Sequence, residues 1–252
     1  MLEYSESVFL LKLHAGANLI SINVLPEDVS VENMFSSLGD NVGGIIGESV
    51  GAVLLNGTWI GSLTEVSQDD GYWVKVGEDV TLAHADADPV NYDADGTVEY
   101  DNHVGNNLIS YPLMSDQSIS DALGDAASNV YAIASEGVAA LWSSDAQQWV
   151  GSLTAFEGGR GYWLVANNDF SFSFNSNEGT LARNSTSVKE MLEIQQFTSR
   201  MSEDPAYRAV QSDQQAFFFV NNATIRGEAL ENDDIVIAYN GDVIVGSRYW
   251  TG

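Results

Sequence analysis

Two stretches of this chain repeat the same three motifs in the same order. The motifs are Gly-x-Asn-Leu-Ile-Ser, Trp-x-Gly-Ser-Leu and Gly-Tyr-Trp, and they begin at Gly16, Trp59 and Gly71 in the first copy and at Gly105, Trp149 and Gly161 in the second. Solenoid repeats recur every 20 to 50 residues. The separation of about ninety residues between these copies is longer, so it indicates that a whole small domain was duplicated. Tandem copies of one domain typically serve spacing, assembly or multivalent binding.

The charge balance excludes one class of partner. The 252 residues contain 9 Lys and Arg against 36 Asp and Glu, a formal net charge of −27. Such a field repels nucleic-acid phosphate and anionic lipid, and the sequence contains no local cluster of Lys or Arg. We therefore expect no nucleic-acid partner. The acidity is also typical of a protein that stays soluble in concentrated salt, which favours a saline habitat.

Composition constrains the fold further. Hydrophobic residues make up 44% of the chain, enough for packed cores, and no apolar run reaches the roughly 18 residues that a membrane span needs. We expect no membrane insertion. The absence of cysteine excludes a disulfide scaffold, thiol catalysis and cysteine metal sites.

Local patterns predict a mainly β, β-rich α+β fold. In the first copy, Val31, Met34, Phe35 and Leu38 have helical spacing behind Ser30, a candidate N-cap. Asn56-Gly57 and Asn240-Gly241 are predicted as two-residue hairpin turns. The second copy repeats the plan, with its helix near residues 119–126. We predict two tandem homologous β modules, each with one short helix, followed by a further helix and a third small β unit.

This organisation divides the chain into five segments. We predict module 1 over residues 1–85, an acidic linker over 86–102, module 2 over 103–177, a helical connector over 178–204 and a C-terminal β unit over 205–252. The C-terminal unit has few strand residues for closing a core alone. We therefore expect it to pack on a neighbouring element or to be incomplete.

The C-terminal segment carries motifs that point to a family. Gln-Ala-Phe-Phe-Phe-Val at 215–220, Ala-Tyr-Asn-Gly-Asp-Val at 238–243 and Val-Gly-Ser-Arg-Tyr-Trp at 245–250 resemble a recurrent β module. That module occurs in large secreted proteins of marine bacteria and in structural proteins of tailed phages of marine cyanobacteria. The repeated motifs of the first two modules resemble its companion repeat. The resemblance implies a virion-surface or extracellular location and no defined chemistry. Similar modules continue beyond the final Trp, so we expect a fragment or a module that another chain completes.

The repeated aromatic residues are candidate contacts for a glycan or a protein partner. Neighbouring residues of a strand point to opposite faces, so one member of each Tyr-Trp pair belongs to a core and the other is exposed or covers a neighbour. Burial of the large aromatic side chains is the simpler interpretation. A sugar-stacking platform is the alternative, and its candidate residues are Tyr72, Trp73, Trp142, Tyr162 and Trp163.

The acidic linker is a candidate calcium site. Asp93, Asp95, Glu99 and Asp101 offer oxygen ligands around a turn at Gly96. The spacing lacks the Asp-x-Asp-x-Asp-Gly pattern and the glutamate at the twelfth position, so a solvated linker is the simpler interpretation. We otherwise predict no metal and no cofactor.

The sequence does not predict a catalytic site. His14 and His103 occupy equivalent positions, as do Glu48 and Glu136, so each copy has one of each and an acid/base pair would have to join two modules. Because these two histidines occupy equivalent positions of the repeat, we expect both to have the same local structural role. No nucleophile elbow, P-loop or zinc-protease motif is present.

These observations favour a non-catalytic structural component of a virion or a secreted surface assembly. Its expected partners are other structural subunits, in a homo- or hetero-oligomer. The alternative is a carbohydrate-binding or host-adhesion module that uses exposed aromatics to bind a surface polysaccharide.

Overall fold

Each copy of the repeat folds into its own five-stranded antiparallel sheet, and the two sheets have the same topology. The computed structural model describes residues 9–84, 88–89, 98–113, 115–175, 223–231 and 234–250. Strand order is β2-β7-β4-β5-β6 in module 1 and β11-β17-β13-β14-β15 in module 2, which is one topology in equivalent strands. The mainly β fold and the pair of homologous modules are confirmed.

Module 1 combines a series of strands with one short helix. They are β1 (Phe9–Leu13), β2 (Gly16–Ser21), β3 (Val24–Leu25), β4 (Val42–Ile46), β5 (Gly51–Leu55), β6 (Thr58–Gly61), β7 (Gly71–Val76), β8 (Val80–His84) and β9 (Asp88–Pro89). Helix α1 (Val31–Met34) is followed by a 3-10 segment at Ser36–Asn41.

Module 2 has the corresponding elements. Its strands are β10 (Tyr100–Asn102), β11 (Gly105–Ile109), β12 (Gln117–Ser118), β13 (Val130–Ser135), β14 (Val138–Ser143), β15 (Gln148–Gly151), β16 (Ala155–Phe156), β17 (Tyr162–Ala166) and β18 (Phe170–Phe172). Helix α2 (Ile119–Leu123) is followed by a 3-10 segment at Gly124–Asn129.

Alternation along each strand divides the residues of a sheet between two faces. In β7, Tyr72, Val74 and Val76 contribute to the module core, whereas Trp73 joins a separate cluster on the other side. We call the core side the inner face and the opposite side the outer face. The inner face is covered by α1 and its 3-10 segment, which bury Met34, Phe35 and Leu38 as their spacing predicts.

The predicted N-cap at Ser30 is confirmed, and the helix of module 2 has an equivalent cap that was not predicted from the sequence. The Ser30 hydroxyl accepts a hydrogen bond from the Asn33 backbone N–H, and in module 2 the Ser118 hydroxyl does the same for Asp121. Each bond satisfies one of the N–H groups that a helix start leaves free, an effect of about 1 kcal/mol.

The predicted start of module 2 is wrong by several residues. Strand β10 pairs with β18, as β1 pairs with β8, so residues 100–102 belong to module 2 and not to a linker. Val98 and Tyr100 lie in the core of module 2. Asp88 and Pro89, also assigned to the linker, form β9 and pair with β3 of module 1.

The two modules differ at one hairpin. Asn56 and Gly57 form the predicted two-residue turn between β5 and β6, with φ of 51° and 77°. The equivalent hairpin of module 2 spans Ser144 to Gln147, because Ser143 pairs with Gln148. This longer loop increases the separation between the copies from 88 residues at Val42 and Val130 to 90 at Trp59 and Trp149.

A second compact unit comprises residues 177–252 and so includes the predicted C-terminal β unit. Its described strands are β19 (Thr224–Ile225), β20 (Glu228–Ala229), β21 (Ile235–Asn240) and β22 (Val243–Tyr249), which form two hairpins. The loop of the second hairpin is Gly241-Asp242 because Asn240 pairs with Val243, so the predicted Asn240-Gly241 turn is wrong by one residue. The connector 178–204 and residues 205–222 lie outside the described residues.

Candidate functional site

The two modules pack against each other through their outer faces. Ala17, Leu19 and Trp73 of module 1 form one apolar cluster with Leu108 and Trp163 of module 2. Trp73 is only 3% exposed. Since Leu19 pairs with Trp73 and Leu108 pairs with Trp163, the same two strands of each module form the contact. We call this contact the module interface.

Backbone hydrogen bonds join the modules at two equivalent places. The Ser21 N–H donates to the Gly159 carbonyl at 3.0 Å, and its counterpart Ser110 donates to the Asp69 carbonyl at 2.9 Å. Isolated antiparallel bridges link Ile20 with Arg160 and Asp70 with Ile109. These contacts are reciprocal between the modules, so an approximate two-fold axis relates the two copies.

The glycine of each Gly-Tyr-Trp motif allows this close approach. A Cβ on Gly71 would lie 2.7 Å from the Ile109 carbonyl oxygen, and one on Gly161 would lie 2.6 Å from the Ile20 carbonyl oxygen. Both distances are far shorter than a carbon–oxygen contact permits, and backbone is on the other side. Any side chain at these positions would push the modules apart.

The remaining residues of Gly-Tyr-Trp divide between core and interface. Tyr72 and Tyr162 are buried in the two cores, and their hydroxyls accept hydrogen bonds from the Ser67 and Glu157 backbone N–H groups at 2.7 and 2.6 Å. Burial raises the pKa of both phenols, so both are neutral. Trp73 and Trp163 point to the opposite side, into the module interface.

The Gly-x-Asn-Leu-Ile-Ser motif divides in the same way. The Asn18 side chain bonds both the N–H and the carbonyl of His14 at 2.9 Å and so fixes the turn before β2. Leu19 lies in the module interface and Ile20 in the core. The Ser21 hydroxyl donates across the interface to the Arg160 carbonyl at 2.6 Å, and the Ser110 hydroxyl donates to the Gln68 carbonyl at the same distance.

A histidine of each module pairs with a glutamate of the other. The His14 Nε2 lies 2.5 Å from a carboxylate oxygen of Glu136, and the His103 Nε2 lies 2.8 Å from one of Glu48. The second oxygen of each carboxylate accepts a backbone N–H from the opposite module: Leu19 donates to Glu136 and Leu108 donates to Glu48. Each glutamate therefore bridges the turn after the first strand and the second strand of the opposite module.

The hydrogen-bond geometry indicates that both histidines are protonated. The other ring nitrogen, Nδ1, faces the Ala15 carbonyl in His14 and the Val104 carbonyl in His103, both at 2.9 Å. Because both ring nitrogens face acceptors, both must carry a proton.

The pKa shifts agree with that assignment. The hydrogen bond to Glu136 raises the pKa of His14 to about 9, against an opposing effect of burial. The bond to the Val104 carbonyl, with the bond to Glu48, raises the pKa of His103. The two pairs are charge-assisted hydrogen bonds at neutral pH.

The two ends of the module interface have different charge. At the Glu48 end, a pocket of about 260 Å³ is lined by Glu48, Asp69, Asp70 and Asp101. Burial and the neighbouring Asp69 raise the pKa of Asp70 to about 6. At the other end Arg160 takes the position of Asp70 and bonds Glu157 at 3.0 Å.

The structure buries three of the five candidate glycan contacts. Tyr72, Trp73 and Tyr162 are 3% exposed or less, as the simpler interpretation of burial predicts, so the alternative of a sugar-stacking platform does not hold for these three residues. Trp163 is half-buried at the module interface. Trp142 is also half-buried and packs edge-to-face on Trp149 of the neighbouring strand, with ring centroids 5.6 Å apart.

The candidate calcium ligands are only partly described. Asp93 and Asp95 lie outside the described residues. Glu99 is exposed, and the Asp101 carboxylate accepts a hydrogen bond from the Ser171 hydroxyl. Within the described ranges, no three His, Asp or Glu side chains are arranged to hold a metal ion, and no helix is long and apolar enough to cross a membrane.

The sequence interpretation missed the role of the histidines. They were expected to act locally, whereas each joins the two modules. The signal was present, because each copy carries one histidine and one glutamate at positions equivalent to those of the other copy, as reciprocal pairing across a two-fold axis requires. Comparisons with protein-family models, with curated proteins and with solved structures found no match.

Proposed function

We propose that this protein is a non-catalytic structural component of a larger assembly, in which two duplicated modules form one rigid building unit. The observation that supports this proposal is the use of the repeated residues. The residues of Gly-Tyr-Trp, with the leucine, isoleucine and serine of Gly-x-Asn-Leu-Ile-Ser and the paired histidines and glutamates, either fill a core or hold one module on the other.

The chemistry of the paired groups supports the same proposal. A general base needs a free lone pair, and an acid needs a proton that it can release near neutral pH. His14 has acceptors at both nitrogens, and its pKa near 9 keeps it charged. Both oxygens of Glu48 and of Glu136 accept hydrogen bonds. These side chains are suited to a fixed contact.

The resemblance of the motifs supports a location on a virion or a secreted surface assembly. The net charge of −27 suits a protein that stays dispersed in salt water. Partners in such an assembly would be other structural subunits, either further copies or different chains.

A polysaccharide-binding assay tests the proposal against adhesion. The full chain is applied to a panel of immobilised marine polysaccharides, together with Trp142→Ala, which removes a half-buried aromatic outside the module interface. We expect no saturable binding by either protein. Saturable binding by the native chain that Trp142→Ala abolishes at unchanged melting temperature would contradict the structural proposal and favour adhesion.

A further inference from the structure

The outer face of module 1 extends beyond the module interface as an exposed apolar surface. Register places Trp73 beside Ile46, and Ile46 beside Gly51. In the adjacent row, Val53 lies beside Ile60. The exposed fractions of Ile46, Val53, Leu55 and Ile60 are 43%, 46%, 50% and 57%. We call these four side chains the apolar face of module 1.

The apolar face has unusually few charges for this molecule. In a chain with a net charge of −27, residues 42–62 contain one charged residue, Glu48, which bonds His103 at the module interface. Lys75 is the charged residue on the same rows of the sheet, between Ala17 and Gly44. A surface of four contiguous large aliphatic side chains is typical of a protein contact.

Module 2 lacks this surface although its sheet has the same topology as that of module 1. Ala134 and Ala139 take the positions of Ile46 and Gly51, and both are buried. Leu141 and Val150, opposite each other like Val53 and Ile60, are half-buried, and Ser143 replaces Leu55. The apolar face is therefore a feature of module 1 and does not follow from the fold.

We propose that the apolar face of module 1 binds the same face of a second copy of this chain about a two-fold axis. One observation and two arguments from symmetry select that partner. The face continues the module interface on the same sheet, and that interface already packs one outer face on another. The four side chains of the apolar face carry no charge, so two copies of this face can meet as one apolar surface on another. An isologous contact also requires no second protein.

The expected dimer is weak. Four half-exposed aliphatic side chains per copy place the contact at the low end of protein–protein interfaces, below about 1,200 Å² in total. The net charge of each copy opposes association and is screened by salt. Dimerisation should therefore strengthen with protein concentration and with ionic strength. The inference rests on the proposed structural role, for which it names the partner.

Sedimentation velocity of the full chain at high salt, over a wide concentration range, tests the inference. We expect the mean mass to rise toward that of a dimer for the native chain. Ile60→Asp should weaken the dimer about tenfold or more, since it places a charge in an apolar contact. The control Leu10→Asp adds the same charge at a side chain that is 64% exposed in β1, and should dimerise like the native chain.

A second variant excludes misfolding as the explanation. Ile46→Ala with Leu55→Ser gives module 1 the side chains that module 2 carries at these positions, so the same sheet tolerates them. This variant should melt close to the native temperature and remain monomeric. A native chain that stays monomeric, or a dimer that neither variant weakens, would overturn the inference. Neither result bears on polysaccharide binding, which tests the proposed function separately.

Discussion

Modules 1 and 2 share the central contacts of the module interface and differ most on the surfaces that lie away from it. The reciprocal pairs His14 with Glu136 and His103 with Glu48 keep the same partners, and Gly71 and Gly161 approach the same kind of carbonyl. Away from the contact, the hairpin loops differ in length, and the apolar face of module 1 has no counterpart. The comparison indicates that the duplicated module is constrained by the need to pack on its own copy.

The largest expected effect comes from the apolar centre of the module interface. Trp73→Ala removes a side chain that is 3% exposed and should lower the free energy of unfolding by about 3–5 kcal/mol. Trp163→Ala, at the half-buried counterpart, should cost less. Urea unfolding followed by far-UV circular dichroism measures both. Equal losses of unfolding free energy in the two variants would contradict the expected difference in packing between the two tryptophans.

The glycines should give the next largest effect. Gly71→Ala places a methyl carbon 2.7 Å from a backbone oxygen of the other module, and forced displacement of this kind costs about 1–3 kcal/mol. The matched control is Gly43→Ala in β4, where the nearest atom would be 3.7 Å away. Thermal melting of the two variants provides the comparison. If Gly43→Ala is as damaging as Gly71→Ala, the close approach is not the cause.

A smaller effect is expected from the histidine–glutamate pairs. The His14 and Glu136 side chains are 47% and 20% exposed, so solvent screening limits their coupling to about 1 kcal/mol or less. A double-mutant cycle with His14→Gln and Glu136→Gln measures it. The equivalent cycle at His103 and Glu48, which are more exposed, should give a weaker coupling. Additive single mutations in both cycles would contradict the proposed pairing.

The same pairs predict a dependence on pH. Because the pKa of His14 is raised to about 9, its proton stabilises the folded chain fully below its unfolded pKa of about 6.5. That stability should be lost as the pH rises through 9. NMR titration of the His14 ring gives the pKa directly, and Glu136→Gln should lower it toward the ordinary value. A His14 that titrates near 6.5 in the native chain would contradict the hydrogen-bond assignment.

The smallest expected effect distinguishes the two ends of the module interface. Burial raises the pKa of Asp70 to about 6, so its ionised form is destabilising and stability should fall as the pH rises from about 4 to 6. Asp70→Asn should stabilise the chain at neutral pH by less than about 1 kcal/mol, because the carboxyl is partly solvated. The control is Asp125→Asn in the 3-10 segment of module 2. Equal melting shifts in the two variants would exclude a specific effect at Asp70.

Local chemistry predicted the elements well. The positive φ of both residues at Asn56-Gly57, the cap at Ser30 and the helical spacing from Val31 to Leu38 depend on neighbours within a few positions. Such signals are contained in a short window of sequence. The Asn240-Gly241 turn was displaced by one residue because Gly241 can occupy either central position of a two-residue loop.

The module interface could not be predicted from the same signals. Alternation assigned Tyr72 and Trp73 to opposite faces but did not identify what covers the outer face. His14 and Glu136 are 122 residues apart, and no periodicity in one sequence relates such positions. Only the duplication implied that equivalent residues would meet in reciprocal pairs, and that implication depends on the modules packing about a two-fold axis.

Nuclear Overhauser contacts of the Trp73 indole test the central claim most directly. If the modules are held face to face, the indole protons should contact the methyl groups of Leu108 in the other module. Selective labelling of leucine methyl groups, with Leu108→Val to assign the signal, makes the measurement specific. Indole contacts to module 1 alone, with Leu108 exposed to solvent, would contradict the claim that the duplicated modules form one unit.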